Sequence, residues 1–118
     1  MAVTAHLKIT DENAKSIGRP IFDKIIQSFL NEDREEFIQH FPYLEEWMTV
    51  DIFDEAVEVL NRLGELLSSE YSTHSVENGN HLLVWKVQYQ NDENKVRWKL
   101  HLDDTQEGIK VKGFGFDR

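Results

Sequence analysis

The sequence predicts an α+β domain in which N-terminal helices pack on one face of a curved, cone-like antiparallel meander of four strands. Three observations carry that expectation. Apolar residues recur at helical spacing up to about residue 67 and alternate from about residue 70. Asn78-Gly79, in the alternating half, is a strong tight-turn signal. The charge balance breaks near the same place: residues 1–80 carry six Lys/Arg and sixteen Asp/Glu, a net of −10, whereas residues 81–118 carry seven and six, a net of +1. The break marks two layers of a single domain, 1–118, because a chain of 118 residues is too short for two separate cores.

The helices, about 11–67, follow in order. Thr10-Asp11-Glu12-Asn13-Ala14 opens like a capped helix, a hydroxyl preceding acidic residues that suit the positive end of the dipole. Gly18-Arg19-Pro20 is expected to break or kink it, with Pro20 as the first residue of a new turn. Ile21, Phe22, Ile25, Ile26, Phe29 and Leu30 then form a wide apolar stripe. Asn31-Glu32-Asp33 makes a turn, and Asp33 with Glu36 reads as a capping-box variant. The short helix that follows points Phe37, Ile38 and Phe41 inward and stops near Pro42. Thr49 with Asp51 starts a third helix carrying Phe53, Val57, Leu60, Leu63 and Leu67, opposite Asp54, Glu55 and Glu58, with an end or bend at Gly64.

The strands are expected at 70–77, 81–90, 95–103 and 108–116, joined after the first hairpin by the polar loops 91–94 and 104–107. Pairing Gln90 with Lys95 sets Tyr89 against Val96, Val87 against Trp98, Trp85 against Leu100 and Leu83 against Leu102. Pairing Asp103 with Gly108 sets Leu102 against Ile109, Leu100 against Val111 and Trp98 against Gly113. All these apolar residues then share one face, and a slip by one residue would place charges in the core. The first hairpin admits two readings: His74 opposite Leu83 with Ser72 opposite Trp85, or a one-residue bulge that turns Tyr71 and Thr73 inward.

Composition narrows the function classes. With 40% apolar and 11% aromatic residues the chain can bury a core, so global disorder is not expected. Zero cysteines exclude disulfides, thiolate metal sites and a cysteine nucleophile. The net charge of −9 disfavours nucleic acid and anionic membranes as partners. Met1–Lys8 lacks a basic region followed by an apolar run, and no apolar run is long enough to span a bilayer, so a cytoplasmic protein is expected.

Thr10-Asp11-Glu12-Asn13-Ala14, Leu30-Asn31-Glu32-Asp33 with Phe37 and Phe41, and Thr49 with Phe53 and Leu63-Gly64 resemble the helical start of nuclear transport factor 2-like (cystatin-like α+β) domains. Val84-Trp85-Lys86-Val87-Gln88-Tyr89, Trp98-Lys99-Leu100 and Val111-Lys112-Gly113-Phe114 resemble their closing strands. The likeness is one of pattern, covers nearly the whole chain, and is greatest to short prokaryotic members. It implies a half-open cone lined by helices, used by some members as a ligand pocket or active site and by others as a dimer or protein-binding surface; it implies no particular reaction. Enzymes of that kind usually place Asp, His or Tyr inside the cone, whereas the derived inner face here offers only Tyr89.

Candidate sites follow from the faces. The histidines (His6, His40, His74, His81 and His101) fall in no metal-binding spacing, no serine stands in a nucleophile elbow, and Gly113-Phe114-Gly115-Phe116 lacks the context of a phosphate loop, so no catalytic residue, metal or cofactor is expected. Glu45, Glu46, Asp51, Asp54 and Glu55 form an acidic face that is either a carboxylate site or simply solvated. Tyr89, Trp85, Trp98, Tyr43, Trp47 and His40 could rim a pocket for a small apolar ligand, or the rings could fill the core. On the outer face the derived registers oppose Lys86 to Lys99 and Lys99 to Lys112, near Arg97, Lys110, Leu82, Val84, Phe114 and Phe116. That surface is either an interaction patch for an acidic protein or for another copy's acidic helices, giving a homodimer, or a solvated face. Two readings of function result: a non-enzymatic interaction domain associating through the outer sheet face, or a small-molecule binder or enzyme using the cone.

Overall fold

The computed structural model of the chain describes residues 8–105 and 108–117. It is an α+β fold: α1 (Ala14–Leu30), α2 (Arg34–His40), a 3-10 turn (Pro42–Leu44) and α3 (Val50–Leu63), then β1 (Leu66–Glu77), β2 (Asn80–Tyr89), β3 (Val96–Thr105) and β4 (Gly108–Asp117). The strands form one open antiparallel sheet in the order β1-β2-β3-β4. No helix among the described residues is long and apolar enough to cross a membrane.

The starts of α2 and α3 follow the sequence; that of α1 differs. Thr10 N–H donates to Asn13 Oδ1 (2.7 Å) and Asn13 N–H to Thr10 Oγ1 (3.3 Å), a reciprocal box in the turn that precedes α1. The helix itself begins after Asn13 with no side-chain cap and no acidic residue in its first turn, so Asp11 and Glu12 lie ahead of it. Glu36 N–H donates to Asp33 Oδ1 at α2, and Ile52 N–H to Thr49 Oγ1 at α3.

Of the break or kink expected at Gly18-Arg19-Pro20, no break occurs; α1 runs through the segment with Pro20 inside. An interior proline costs about 3 kcal/mol. Burial of Phe22, Ile25, Ile26 and Phe29 beyond it contributes about 1.5–3 kcal/mol per side chain, which outweighs that cost. Gly18 is a contact point, not a breaker: a Cβ built there would lie 2.4 Å from Leu83 Cδ2 and 2.8 Å from Trp85 Cη2. The third helix ends at Gly64, whose φ of 83° suits only glycine well. Leu67 therefore leaves the expected helical stripe and sits exposed in β1, which starts earlier than predicted.

Phe22 stacks on Trp85 (4.6 Å, 2° between ring planes) and Phe29 on Phe53 (4.8 Å), fastening α1 to the sheet and α3 to α1. Leu83, Trp85, Val87, Tyr89, Val96, Trp98, Leu100, Leu102 and Val111 are buried as derived. Their partners differ. Trp85 pairs with Trp98, Leu83 with Leu100, and Val87 with Val96, two residues from the predicted β2–β3 register. The cause lies at the loop: Gln90 N–H donates to Glu65 C=O and Asn91 N–H to Leu63 C=O, both at 2.8 Å, so β2 leaves β3 after Tyr89 and ties down the α3–β1 junction.

The β3–β4 register also shifts. Thr105 pairs with Gly108, and Leu102 with Val111; a bulge between His101 and Leu102 then sets Gly113 against His101, Phe114 against Leu100, and Phe116 against Trp98. Part of the expected loop, Gln106-Glu107, lies outside the described residues. The extra residue reverses the face of everything after it, so Phe114 and Phe116 turn towards the core instead of the outer face. In the first hairpin each reading holds in part. Asn78 (φ 52°) and Gly79 (φ 80°) form the two-residue turn and His74 pairs with Leu83. A bulge between Tyr71 and Thr73 then brings Tyr71 opposite Trp85, edge-on to its ring at 5.5 Å, while Thr73 stays exposed.

Candidate functional site

On the outer face, Lys86 lies opposite Arg97, not Lys99; Lys99 lies opposite Val84 and Gly115, so the predicted lysine row does not form. The row across the sheet reads Glu70, Lys86, Arg97, Asp117. Its adjacent cations are flanked by carboxylates, which offsets their repulsion. Arg97 Nε lies 3.2 Å from Asp117 Oδ1, Lys99 Nζ 2.8 Å from Asp117 Oδ2, and Lys95 Nζ 3.6 Å from Glu70 Oε2. Lys112 lies 4.0 Å from Asp103. Beside this row, Leu82 and Val84 are half-buried between Ser75 and Thr73 of β1 and His101 and Lys99 of β3, with Gly113 and Gly115 beyond them on β4. The surface thus sets two aliphatic side chains beside the exposed cations Lys86 and Arg97.

The hydrogen bond from Lys99, helped by the charges of Arg97 and Lys99, holds the Asp117 carboxyl below its ordinary value of 3.8. Its contacts with Lys99 and Arg97 therefore form fully above that value and disappear as pH falls through the lower folded one. In an NMR titration, the Asp117 carboxyl and the Arg97 Nε–H should move together, with a midpoint below 3.8; Asp117→Asn should remove the Arg97 response.

Phe114 and Phe116, expected in the patch, pack inward. Phe114 meets Phe29, Phe37 and Trp47 at centroid distances of 5.9, 5.6 and 5.1 Å, and Phe116 meets Trp98 at 4.7 Å. Tyr43 and Trp47, expected at a pocket rim, flank β4 instead: the Tyr43 hydroxyl accepts a hydrogen bond from Val111 N–H at 2.8 Å. That contact occupies a backbone donor of an edge strand, the kind of group that otherwise invites strand addition.

The pocket residues do not converge. Trp85 and Trp98 are interior, His40 is exposed, and Tyr89 is buried with its hydroxyl accepting from Trp98 Nε1 at 3.1 Å. Burial pushes the Tyr89 phenol up, partly countered by the indole bond. Beside Tyr89 lies a slot of about 40 Å³ walled by Ile26, Phe29, Leu30, Leu60 and Leu66. On the helical side, Glu32, Asp54 and Glu58 surround Phe53 and Val57 in an open groove of about 320 Å³.

The inner face is less uniformly apolar than the alternation implied. His74 and His81 lie on it at the hairpin end, their side chains only 4% and 8% exposed. His74 Nδ1 is 2.6 Å from Asp11 Oδ1, His74 Nε2 is 2.9 Å from His81 Nδ1, and His81 Nε2 is 3.1 Å from Asp104 Oδ2. Asp104 Oδ2 also accepts from Ile9 N–H at 2.9 Å. The signal was the two-residue turn, which makes His74 and His81 diagonal neighbours; Asp11 and Asp104 could not be placed from spacing. These groups form a line, and among the described residues no three or more His, Asp or Glu converge as metal ligands would.

No family model, curated protein or solved structure matches this chain.

Proposed function

We propose that the chain is a non-enzymatic interaction domain that self-associates, the cationic outer face of one copy's sheet meeting the acidic helical groove of another. The observation that carries this reading is the opposition of chemistries. Lys86 and Arg97 stand exposed beside Leu82 and Val84 on one side, and Glu32, Asp54 and Glu58 ring the Phe53–Val57 floor on the other. Lys and Arg suit such a groove because their stems lie on apolar surface while their heads meet carboxylates. The outer sheet face and the helical layer lie on opposite sides, so the contact is head-to-tail; a two-fold sheet-to-sheet dimer would press Lys86 and Arg97 against their own copies. Three helices ahead of four antiparallel strands also support membership of the nuclear transport factor 2-like superfamily, and the cytoplasm is the proposed location.

Sedimentation over a concentration series tests the contact. Association should be strongest at low salt and weaken as salt screens it. Lys86→Glu with Arg97→Glu should weaken it by roughly tenfold or more, and mixing that variant with an Asp54→Lys, Glu58→Lys copy should restore it. A single monomeric species at every concentration and salt would overturn the proposal.

A second reading, a small apolar ligand, draws support from the slot beside Tyr89. Its 40 Å³ admits a terminal methyl or ethyl group, whereas whole-ligand pockets run to roughly 300–1,000 Å³.

A further inference from the structure

We infer that His74, His81 and their two carboxylates form a proton-operated latch, which grips the segment before α1 at Asp11 only while the two rings together hold three N–H protons. The inference follows from counting donors along the line. With both carboxylates ionised, His74 Nδ1 must carry a proton to donate to Asp11, and His81 Nε2 must carry one to donate to Asp104. That leaves His74 Nε2 and His81 Nδ1 facing each other at 2.9 Å. Two lone pairs at that separation repel, so a third proton must lie between them. The rings then carry one positive charge between two negative ones, and every contact is a hydrogen bond, those to the carboxylates charge-assisted.

Loss of the third proton breaks the line at a definite end. Asp104 is 18% exposed and already accepts from Ile9 N–H, whereas Asp11 is 89% exposed. Asp11 can therefore turn to water at little cost. The two remaining protons are best placed on His74 Nε2, donating to His81 Nδ1, and on His81 Nε2, donating to Asp104. His74 Nδ1 is then bare, repels the Asp11 carboxylate, and the grip on Asp11 is lost. Asp11 lies inside the Thr10–Asn13 box of the turn that leads into α1, and Ala14 N–H donates to Thr10 C=O at 2.8 Å, so the protonation state reaches the turn on which the helix begins.

Among the described residues, the N-terminal segment sets Asp11 against the pair; β1 supplies Tyr71, whose phenol is pushed up first by burial and then by the Asp11 charge; β3 supplies Asp104, with the uncharged Ile109 of β4 opposite it. Val76 and Leu83 are the cross-strand partners of His81 and His74. The sign is then set: the third proton closes the latch and its loss opens it, so the latch opens as pH rises.

Ring-nitrogen NMR of the intact chain reads the proton count directly. As pH is raised on the folded chain, the two rings should pass from three N–H protons to two, with Nδ1 of His74 the nitrogen that loses its proton. Over the same step the protection factor of the Asn13 amide should fall by roughly tenfold, the scale of one charge-assisted hydrogen bond. Asp11→Ala, a change at an exposed position, should leave the fold intact and abolish that pH dependence. Two ring protons throughout, loss of the proton at the Asp104 end, or an unchanged pH dependence in Asp11→Ala would each overturn the latch.

Discussion

Replacing Trp98 with alanine is expected to lower folding stability by about 3–5 kcal/mol, a large part of the ~5–15 kcal/mol that holds an ordinary domain together. Trp98 is 1% exposed and lies between α1 and the sheet, edge-on to Phe22 at 5.9 Å, against Phe29 at 6.2 Å, and beside Phe116 of β4 at 4.7 Å. Phe22 and Phe29 cannot collapse into the space without leaving Trp85 and Phe53, on which they stack. The indole also donates to Tyr89, which separates its polar contribution from its bulk. Trp98→Phe should cost about 1 kcal/mol more than Trp85→Phe, because Trp85 Nε1 is buried with no acceptor among the described residues. Urea midpoints at constant slope measure the difference. Equal losses would mean that the Trp98–Tyr89 bond adds nothing net.

Gly18→Val is expected to destabilise by about 1–3 kcal/mol through overpacking. Glycine within a helix normally costs about 0.5–1 kcal/mol relative to alanine, so a larger residue would help at an open position. Gly18 is closed: its missing Cβ faces Leu83 and a Trp85 ring already held by Phe22 and Tyr71. Leu83 can yield at its terminal methyl, but Trp85 cannot turn without unstacking from Phe22. Shortening the opposing side chain with Leu83→Val should recover part of the loss, and a double-mutant cycle on thermal or urea unfolding gives that coupling. Independent, additive effects would show that α1 simply moves away from the sheet.

The contrast at Gly18 illustrates what the chain discloses residue by residue. Gly18-Arg19-Pro20 carries a strong local signal for a break, yet tertiary burial on either side overrides it. Asp33 and Thr49, by contrast, act within one turn of their own position, and both cap the helices they were expected to cap. The alternation from Leu83 to Tyr89 and from Val96 to Leu102 identified the buried face correctly. It did not identify the partners, because a two-residue slip leaves every side chain on the same face. The partners followed from the hydrogen bonds of Gln90 and Asn91 to the α3–β1 junction, contacts between segments far apart in the chain. The bulge between His101 and Leu102 has no counterpart in the pattern, so simple alternation sends Phe114 and Phe116 to the outer face and draws a lysine row that does not form. The histidine line depended on Asp11, 63 residues from His74, and only folding brings the two together.

By itself the order of residues determined the class of fold, the caps of the later helices, the tight turn at Asn78-Gly79 and the face that most strand residues bury. These depend on periodicity and on groups a few positions apart. Tertiary structure alone decided that α1 stays whole, which strand residues are opposed, that β4 turns its last aromatics inward, and that two histidines lie between two carboxylates. Each of those outcomes compares the free energies of contacts between distant segments, and such comparisons leave no period in the chain.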